Sequence, residues 1–102
     1  MRAVYRWRVK PGREETFARA WAQATKTIRA HVKGARGSML LRSRRDSAEF
    51  IATARWDSFE EWQAFMQSEP ADPEAFRVMS AAAQMLSAEV FDEVEDLLDY
   101  QQ

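Results

Sequence analysis

The chain has no cysteine, no asparagine and a single histidine among its 102 residues. Without cysteine it can form no disulfide, no thiolate metal site and no thiol nucleophile. Because transition-metal sites normally combine several histidine or cysteine ligands, His31 alone predicts no metal. Near the expected end of a helix, His31 favours a capping or surface role. No glycine-rich phosphate loop occurs, so we expect no cofactor of the nucleotide type.

Long hydrophobic runs are also missing. No apolar stretch approaches the roughly 18 residues of a membrane-spanning helix, and the N-terminus lacks the apolar segment of a signal peptide. We therefore expect no membrane partner and a cytoplasmic location. The formal net charge of −1 does not indicate a polyanionic partner such as nucleic acid.

The strongest positive signal is the order of hydrophobic periods along the chain. Residues 2–10 alternate, and the apolar face of this first strand carries Ala3, Tyr5, Trp7 and Val9. From Gly12 the period becomes helical, with a stripe of Phe17, Trp21, Ala24, Ile28 and Val32. Strand-like runs at 38–44 and 49–56 follow, then two helical segments and a last strand at 85–94.

This β-α-β-β-α-β order predicts a ferredoxin-like α+β fold with a four-stranded antiparallel sheet and its helices on one face. We expect residues 1–102 to form a single domain. A chain of this length has no second layer for the opposite face of the sheet. A partner subunit or a ligand must therefore cover that face.

Local signals predict the element boundaries. Ser58 and Glu61 form a capping-box pattern that opens the second helix. Pro70 ends that helix, and the pair Asp72-Pro73 opens the third. We predict that the second helix buries Phe59, Trp62, Phe65 and Met66, and that the third buries Phe76, Met79, Ala83 and Leu86. The pair Asp46-Ser47 predicts a hairpin turn.

Charge is distributed unevenly along the chain. Residues 1–45 hold 13 lysines and arginines against two acidic residues, and residues 46–102 hold 14 acidic residues against two arginines. A basic nucleic-acid arm is one interpretation. The favoured interpretation pairs the first and last strands of the sheet, where opposite charges stabilise the register. It predicts that Arg6 and Arg8 lie beside Glu89, Asp92 and Glu93, or that the acidic C-terminus reaches another subunit.

Aromatic residues are the main indication of a binding site. Most of them should pack in the seam between helices and sheet, but so many rings can also line an apolar pocket for a flat aromatic ligand. Polar groups at the edge of such a pocket would be Tyr5, Ser80 and either Arg55 or Gln84. RNA-recognition modules share this sheet order, but their third strand needs a basic-Gly-aromatic core, which residues 49–54 lack.

The chain resembles the antibiotic-biosynthesis monooxygenase-like domains of the dimeric α+β barrel superfamily. The resemblance rests on V-K-P-G at 9–12, the G-x-x-G turn at 34–37 and W-D-S-F-E-E-W-Q-A-F at 56–65. It implies a homodimer whose two sheets face each other and close a barrel. It also implies that Tyr5, Trp62 and Ser80 stand where the haem-degrading branch has Asn, Trp and His. Since only Trp62 is kept, we expect no haem degradation by that mechanism.

Two functions remain open. The first is a cofactor-independent monooxygenase acting on a small phenolic compound. In it Tyr5 orients the substrate hydroxyl, Arg55 stabilises a phenolate, Ser80 is a further catalytic candidate, and the substrate-binding walls are Trp62, Phe65 and Phe76. The second is a non-catalytic dimeric domain that binds a small molecule, with the same rings acting as core. Phe65 also stands where many relatives have a histidine, which weakens the expectation of acid–base catalysis.

Overall fold

The structure, a computed structural model, describes residues 1–100. It comprises β1 (Arg2–Val9), α1 (Glu14–His31), β2 (Ala35–Arg42), β3 (Glu49–Trp56), α2 (Phe59–Met66), α3 (Pro73–Ala82) and β4 (Ala83–Phe91). The strands form one sheet in the order β2-β3-β1-β4, and every neighbouring pair is antiparallel. The predicted ferredoxin-like α+β fold is therefore confirmed. None of the helices within this described part of the chain is long and apolar enough to cross a membrane.

Strand β1 lies in the middle of the sheet and its alternation is the predicted one. Ala3, Trp7 and Val9 are buried towards the helices. In β3, Ala54 stands opposite Ala3 and Phe50 opposite Trp7, so their side chains share that face. The apolar positions of the two central strands thus form the floor of the core.

Helix α1 covers this floor through Phe17, which is fully buried. Its ring meets Trp7 edge-on at 5.2 Å between centroids and Phe50 at 5.5 Å. Such pairs contribute beyond their buried area. The helix begins at Glu14 rather than at Gly12, which has a positive φ of 82° in the preceding turn. His31 is the exposed last residue of the helix, which agrees with the predicted surface role.

Helix α2 begins at the predicted cap but is less buried than predicted. The backbone N–H of Glu61 donates to the Ser58 hydroxyl at 3.2 Å, and this hydroxyl donates back to the Glu61 carboxylate at 2.9 Å. The prediction that all four apolar residues are buried is wrong. Phe59 and Met66 are 40% and 43% exposed. Trp62 and Phe65 are half-buried, and none of the eight residues of this short helix is fully buried.

The boundary between α3 and β4 also differs from the prediction. Asp72 caps α3 by accepting from the Ala75 N–H at 3.1 Å, as expected. The helix ends at Ala82, so Ala83 and Leu86 belong to β4 and not to the helical stripe. Lys10 donates its backbone N–H to the Ala82 carbonyl, and Ala83 pairs with Val9. The residues from Ala83 onwards could continue the helix by their sequence, but pairing with β1 makes them a strand.

Strand β2 begins earlier than predicted, at Ala35, and contains Gly37. Gly37 has a φ of 98°, a conformation that side chains of L-residues rarely adopt. The pairing with β3 shifts between Ala35 and Ser38, so the glycine permits this bulge.

Opposite charges do meet between β1 and the end of the chain, but at other residues than predicted. The register puts Arg6 opposite Ser87 and Arg8 opposite Gln84. Arg8 pairs instead with Asp46 in the β2–β3 loop, at 3.0 Å. At the other end of β1, Arg2 contacts Glu93 and Asp96, each at 3.1 Å. The acidic C-terminal segment thus folds back onto its own chain.

The sheet face turned away from the helices leaves large apolar side chains exposed, although the C-terminal segment contacts it at Arg2. It carries Met39 and Leu41 of β2 and Phe91 of β4, which are 57%, 47% and 50% exposed. Their strand partners on this face include Thr53 and Ile51. We call these five residues, together with Val4 of β1, the outer face.

Candidate functional site

A cavity of about 270 Å³ opens between the sheet, α1 and the connection from α2 to α3. This volume lies just below the usual range for small-molecule sites, which begins at about 300 Å³. Tyr5 and Trp7 of β1 and Trp56 of β3 line its floor, and Trp21 and Ile28 of α1 line one side. Its lining is almost entirely apolar, which suits a flat hydrophobic ligand.

The most specific polar contact in the site joins Trp62 to Tyr5. The indole Nε1–H of Trp62 donates to the Tyr5 hydroxyl oxygen at 2.8 Å. Burial raises the pKa of Tyr5, and the Trp62 hydrogen bond offsets only part of this rise. The Tyr5 side chain is therefore a neutral phenol at physiological pH. The hydroxyl donates to no protein group within residues 1–100, so its proton remains available to a ligand.

Trp62 is held in place by α2 and by the sheet below it. The Ser58 cap fixes the start of the helix. The indole packs against the buried cluster that includes Ala3 and Trp56. Trp62 does not itself line the cavity and reaches it through Tyr5. Trp62 therefore positions the Tyr5 hydroxyl through this hydrogen bond.

The second wall of the cavity comes from the helices that follow β3. Phe65 of α2 packs on Trp56 with ring centroids 5.2 Å apart. Phe76 and Met79 of α3 and Met85 of β4 complete this wall. Phe76 is 44% exposed and Met85 is 47% exposed. Large apolar side chains are thus left partly uncovered around the cavity, as in a site that a ligand completes.

Comparison with known proteins identifies the family. The model of the family described as antibiotic biosynthesis monooxygenase matches residues 1–82. The chain belongs to this family. A comparison with curated protein sequences finds no significant match.

Solved structures of similar fold agree with this assignment. SnoaB, a cofactor-independent oxygenase from Streptomyces nogalater, superposes with a TM-score of 0.78 at 18% identity, covering 96% of each chain. A candidate antibiotic biosynthesis monooxygenase from Caulobacter crescentus gives 0.74 at 18% identity, covering 92% of this chain and 89% of its own. One from Chloroflexus aurantiacus gives 0.73 at 16% identity, covering 93% of each. At such identities these matches show the shared fold.

The structure separates the three positions that the family resemblance aligns with the haem-degrading branch. Tyr5 and Trp62 are joined by the hydrogen bond described above. Ser80 is exposed on α3 and is not part of the cavity lining. The expected edge of the pocket therefore contains Tyr5 without Ser80.

Arg55 and Gln84 are also placed away from Tyr5. Ala54 and Trp56 are buried on the helix side, so alternation directs the Arg55 side chain to the opposite face, where its strand partner is Arg2. Arg55 is one of the lining residues, but its side chain belongs to the opposite face of the sheet. Gln84 is exposed opposite Arg8. The cavity of this family member thus lacks the guanidinium that was predicted to stabilise a phenolate.

Sequence reasoning did not assign Thr25 and Arg29 of α1 to the cavity. Trp21, Thr25, Ile28 and Arg29 all line it. Counted from Trp21 they stand at positions i, i+4, i+7 and i+8, which lie on one side of a helix, so the sequence carried this signal. Within residues 1–100 no group of three or more metal-ligating side chains is gathered.

Proposed function

We propose that this family member is a cofactor-independent monooxygenase that oxidises a small phenolic compound in the cavity. The observation that carries the proposal is the neutral Tyr5 hydroxyl, held by Trp62 with its proton free, at the floor of an apolar cavity. A donor in a dry site stabilises a phenolate oxygen much better than the same donor in water. Family membership and the fold shared with SnoaB support this assignment.

The chemistry needs little from the protein because the substrate supplies the electrons. A phenol that is oxidised to a quinone by one oxygen molecule gives one water molecule, so no external reductant takes part. The chain's residues would bind the ring between Phe65 and Phe76 and orient its oxygen towards Tyr5. Tyr5 would donate to the substrate oxygen and favour the anion that reacts with oxygen. Trp62 would hold the Tyr5 hydroxyl in position.

The second candidate is a non-catalytic domain that binds the same class of ligand. It is favoured by the scarcity of acid–base groups, since Arg55 turns its side chain to the opposite face and the remaining titratable side chains among the described lining residues are Tyr5, Arg29 and Asp72. None of these is a histidine, and the Asp72 carboxylate already caps α3. Under this hypothesis phenols bind in the cavity and leave it unchanged.

Oxygen uptake separates the two candidates. The purified protein is mixed with quinols and fused-ring phenols in air-saturated, chelator-treated buffer, and oxygen consumption and quinone absorbance are followed together. With the phenols we expect protein-dependent consumption of one oxygen per quinone formed, with water rather than hydrogen peroxide as the second product. Saturable binding of the same phenols with oxygen uptake no faster than in protein-free buffer would support the non-catalytic candidate instead.

We further propose that the active form is a homodimer joined through the outer face. Met39, Leu41 and Phe91 are each about half exposed there, although apolar side chains of this size are normally covered. Packing the outer face against the same face of a second copy by a two-fold axis buries both sets at once. The resulting pair of facing sheets is the barrel that the family resemblance implies.

A further inference from the structure

One cationic side chain stands at the mouth of the cavity. Arg29 lies in the last turn of α1, is exposed and lines the cavity. The stem of its side chain runs beside Gly37 of β2. A Cβ atom built on that glycine would lie 3.5 Å from the Arg29 Cδ. That distance is an ordinary van der Waals contact, so the Arg29 stem lies directly against β2 at Gly37.

Within residues 1–100 the Arg29 guanidinium makes no salt bridge and no side-chain hydrogen bond. The other charged side chain that lines the cavity without turning to the opposite sheet face is Asp72. Its carboxylate accepts from the Ala75 N–H at 3.1 Å and from the Gln23 amide at 3.4 Å, and so caps α3. Arg29 is therefore the cationic lining side chain whose donors have no partner in the described part of the chain.

We propose that Arg29 makes the site selective for phenolic ligands that carry a carboxylate at the end opposite the phenol oxygen. This inference rests on the proposed function and adds a substrate class to it. Such a ligand presents its hydroxyl to Tyr5, its flat apolar body to the rings, and its anionic end to Arg29. A planar guanidinium with several donors matches a carboxylate in two parallel hydrogen bonds. Arg29 thus acts as a specificity-determining residue, while the Tyr5 end of the cavity recognises the phenol.

Three compounds that share the same hydroxynaphthalene ring system test the proposal by calorimetric titration. The acid is 6-hydroxy-2-naphthoate, its methyl ester replaces the charge with one methyl group, and 2-naphthol lacks the carboxyl group entirely. We expect the wild-type protein to bind the acid at least about tenfold more tightly than the ester, equivalent to about 1.4 kcal/mol. The preference should shrink as salt is added, because the pair at the mouth is open to solvent.

Substitutions then assign the preference to Arg29. In Arg29→Gln the acid and the ester should bind equally, with the affinity for the ester unchanged from wild type. Lys26→Gln is the matched control, because it removes one exposed positive charge from the same helix outside the cavity lining. It should keep the full preference. An unchanged affinity for the ester also shows that the Arg29→Gln cavity is intact.

The possible outcomes separate this inference from the proposed function. If the acid and the ester bind wild-type protein equally, or if Lys26→Gln abolishes the preference as Arg29→Gln does, the role of Arg29 is contradicted and the phenol site stands. If none of the three compounds binds, both the phenol site and the role of Arg29 are contradicted.

Discussion

The indole N–H of Trp62 donates to the hydroxyl oxygen of Tyr5 at 2.8 Å, across a sequence separation of 57 residues. This bond connects α2 to the central strand of the sheet. It also determines the chemistry of the Tyr5 hydroxyl, because an oxygen that already accepts from an indole turns its own proton elsewhere. Within residues 1–100 the Tyr5 hydroxyl donates to no protein group, and Tyr5 is one of the residues that line the cavity.

Tyr5→Phe should reduce ligand binding or turnover much more than stability. The substitution removes the hydroxyl and keeps nearly all of the buried ring, so the free energy of unfolding should change by about 1 kcal/mol. Binding or oxygen uptake with phenols should fall by at least roughly tenfold, about 1.4 kcal/mol in the complex. Calorimetry and thermal denaturation measure the two effects. Tyr100→Phe is the control, since Tyr100 bonds Asp96 and Arg2 far from the cavity. Equal affinities for wild type and Tyr5→Phe would exclude Tyr5 from the site.

Trp62→Phe should raise the pKa of Tyr5 further. Burial is the main cause of its raised pKa, and the Trp62 hydrogen bond is the contact that lowers it. Because Tyr5 and Tyr100 are the only tyrosines, the measurement is made in a Tyr100→Phe background by following tyrosinate absorbance with pH. The contribution of the neutral Tyr5 to the free energy of unfolding is complete below the ordinary tyrosine pKa of about 10. It is lost as the pH rises through the higher pKa that Tyr5 has in the folded protein. A pKa that is unchanged or lower in Trp62→Phe would show that the indole does not bond the Tyr5 oxygen in solution.

Leu41→Glu should dissociate the proposed homodimer. Sedimentation of the wild type should give about 24 kDa, twice the 11.8 kDa of the chain. A carboxylate at Leu41, which is 47% exposed on the outer face, would be buried without a partner in the dimer. Ala64→Glu, exposed on α2, is the control and should remain dimeric. A wild-type mass of one chain at micromolar concentration would refute the dimer.

Glu93→Gln should destabilise the fold at neutral pH and have little effect in acid. Hydrogen bonds from the N-terminal ammonium group and from Arg2 lower the pKa of Glu93. Because its pKa is lowered, ionised Glu93 stabilises the fold above the ordinary glutamate pKa of about 4.3. This contribution is lost as the pH falls through the lower pKa that Glu93 has in the folded protein. The melting temperatures of Glu93→Gln and wild type should therefore differ at neutral pH and converge at strongly acidic pH. Glu95→Gln serves as a control for removing one charge, and a difference that persists in acid would rule out this linkage.

Much of the fold could be predicted because its signals are local. The alternation of β1 assigned Ala3 and Trp7 to the core, and the caps at Ser58 and Asp72 placed two helix starts correctly. Alternation and capping depend on a few adjacent residues, so a single sequence carries them. The end of α3 was missed because the extended conformation at Ala83 is imposed by pairing with Val9 of β1.

The site was predictable only in part, because contacts between distant parts of the chain are not carried by local sequence patterns. The sequence by itself determined which rings face the seam between helices and sheet, including Tyr5, Phe65 and Phe76, because each lies on a periodic face. Only the tertiary structure decided that Trp62 bonds Tyr5, that Ser80 lies outside the cavity, and that Arg29 stands at its mouth. These relations join elements far apart in the chain, and their geometry depends on strand register and helix packing. The hydrophobic periodicity of a helix or strand determines which of its faces is buried. The packing of that face against other elements determines which residue each side chain contacts.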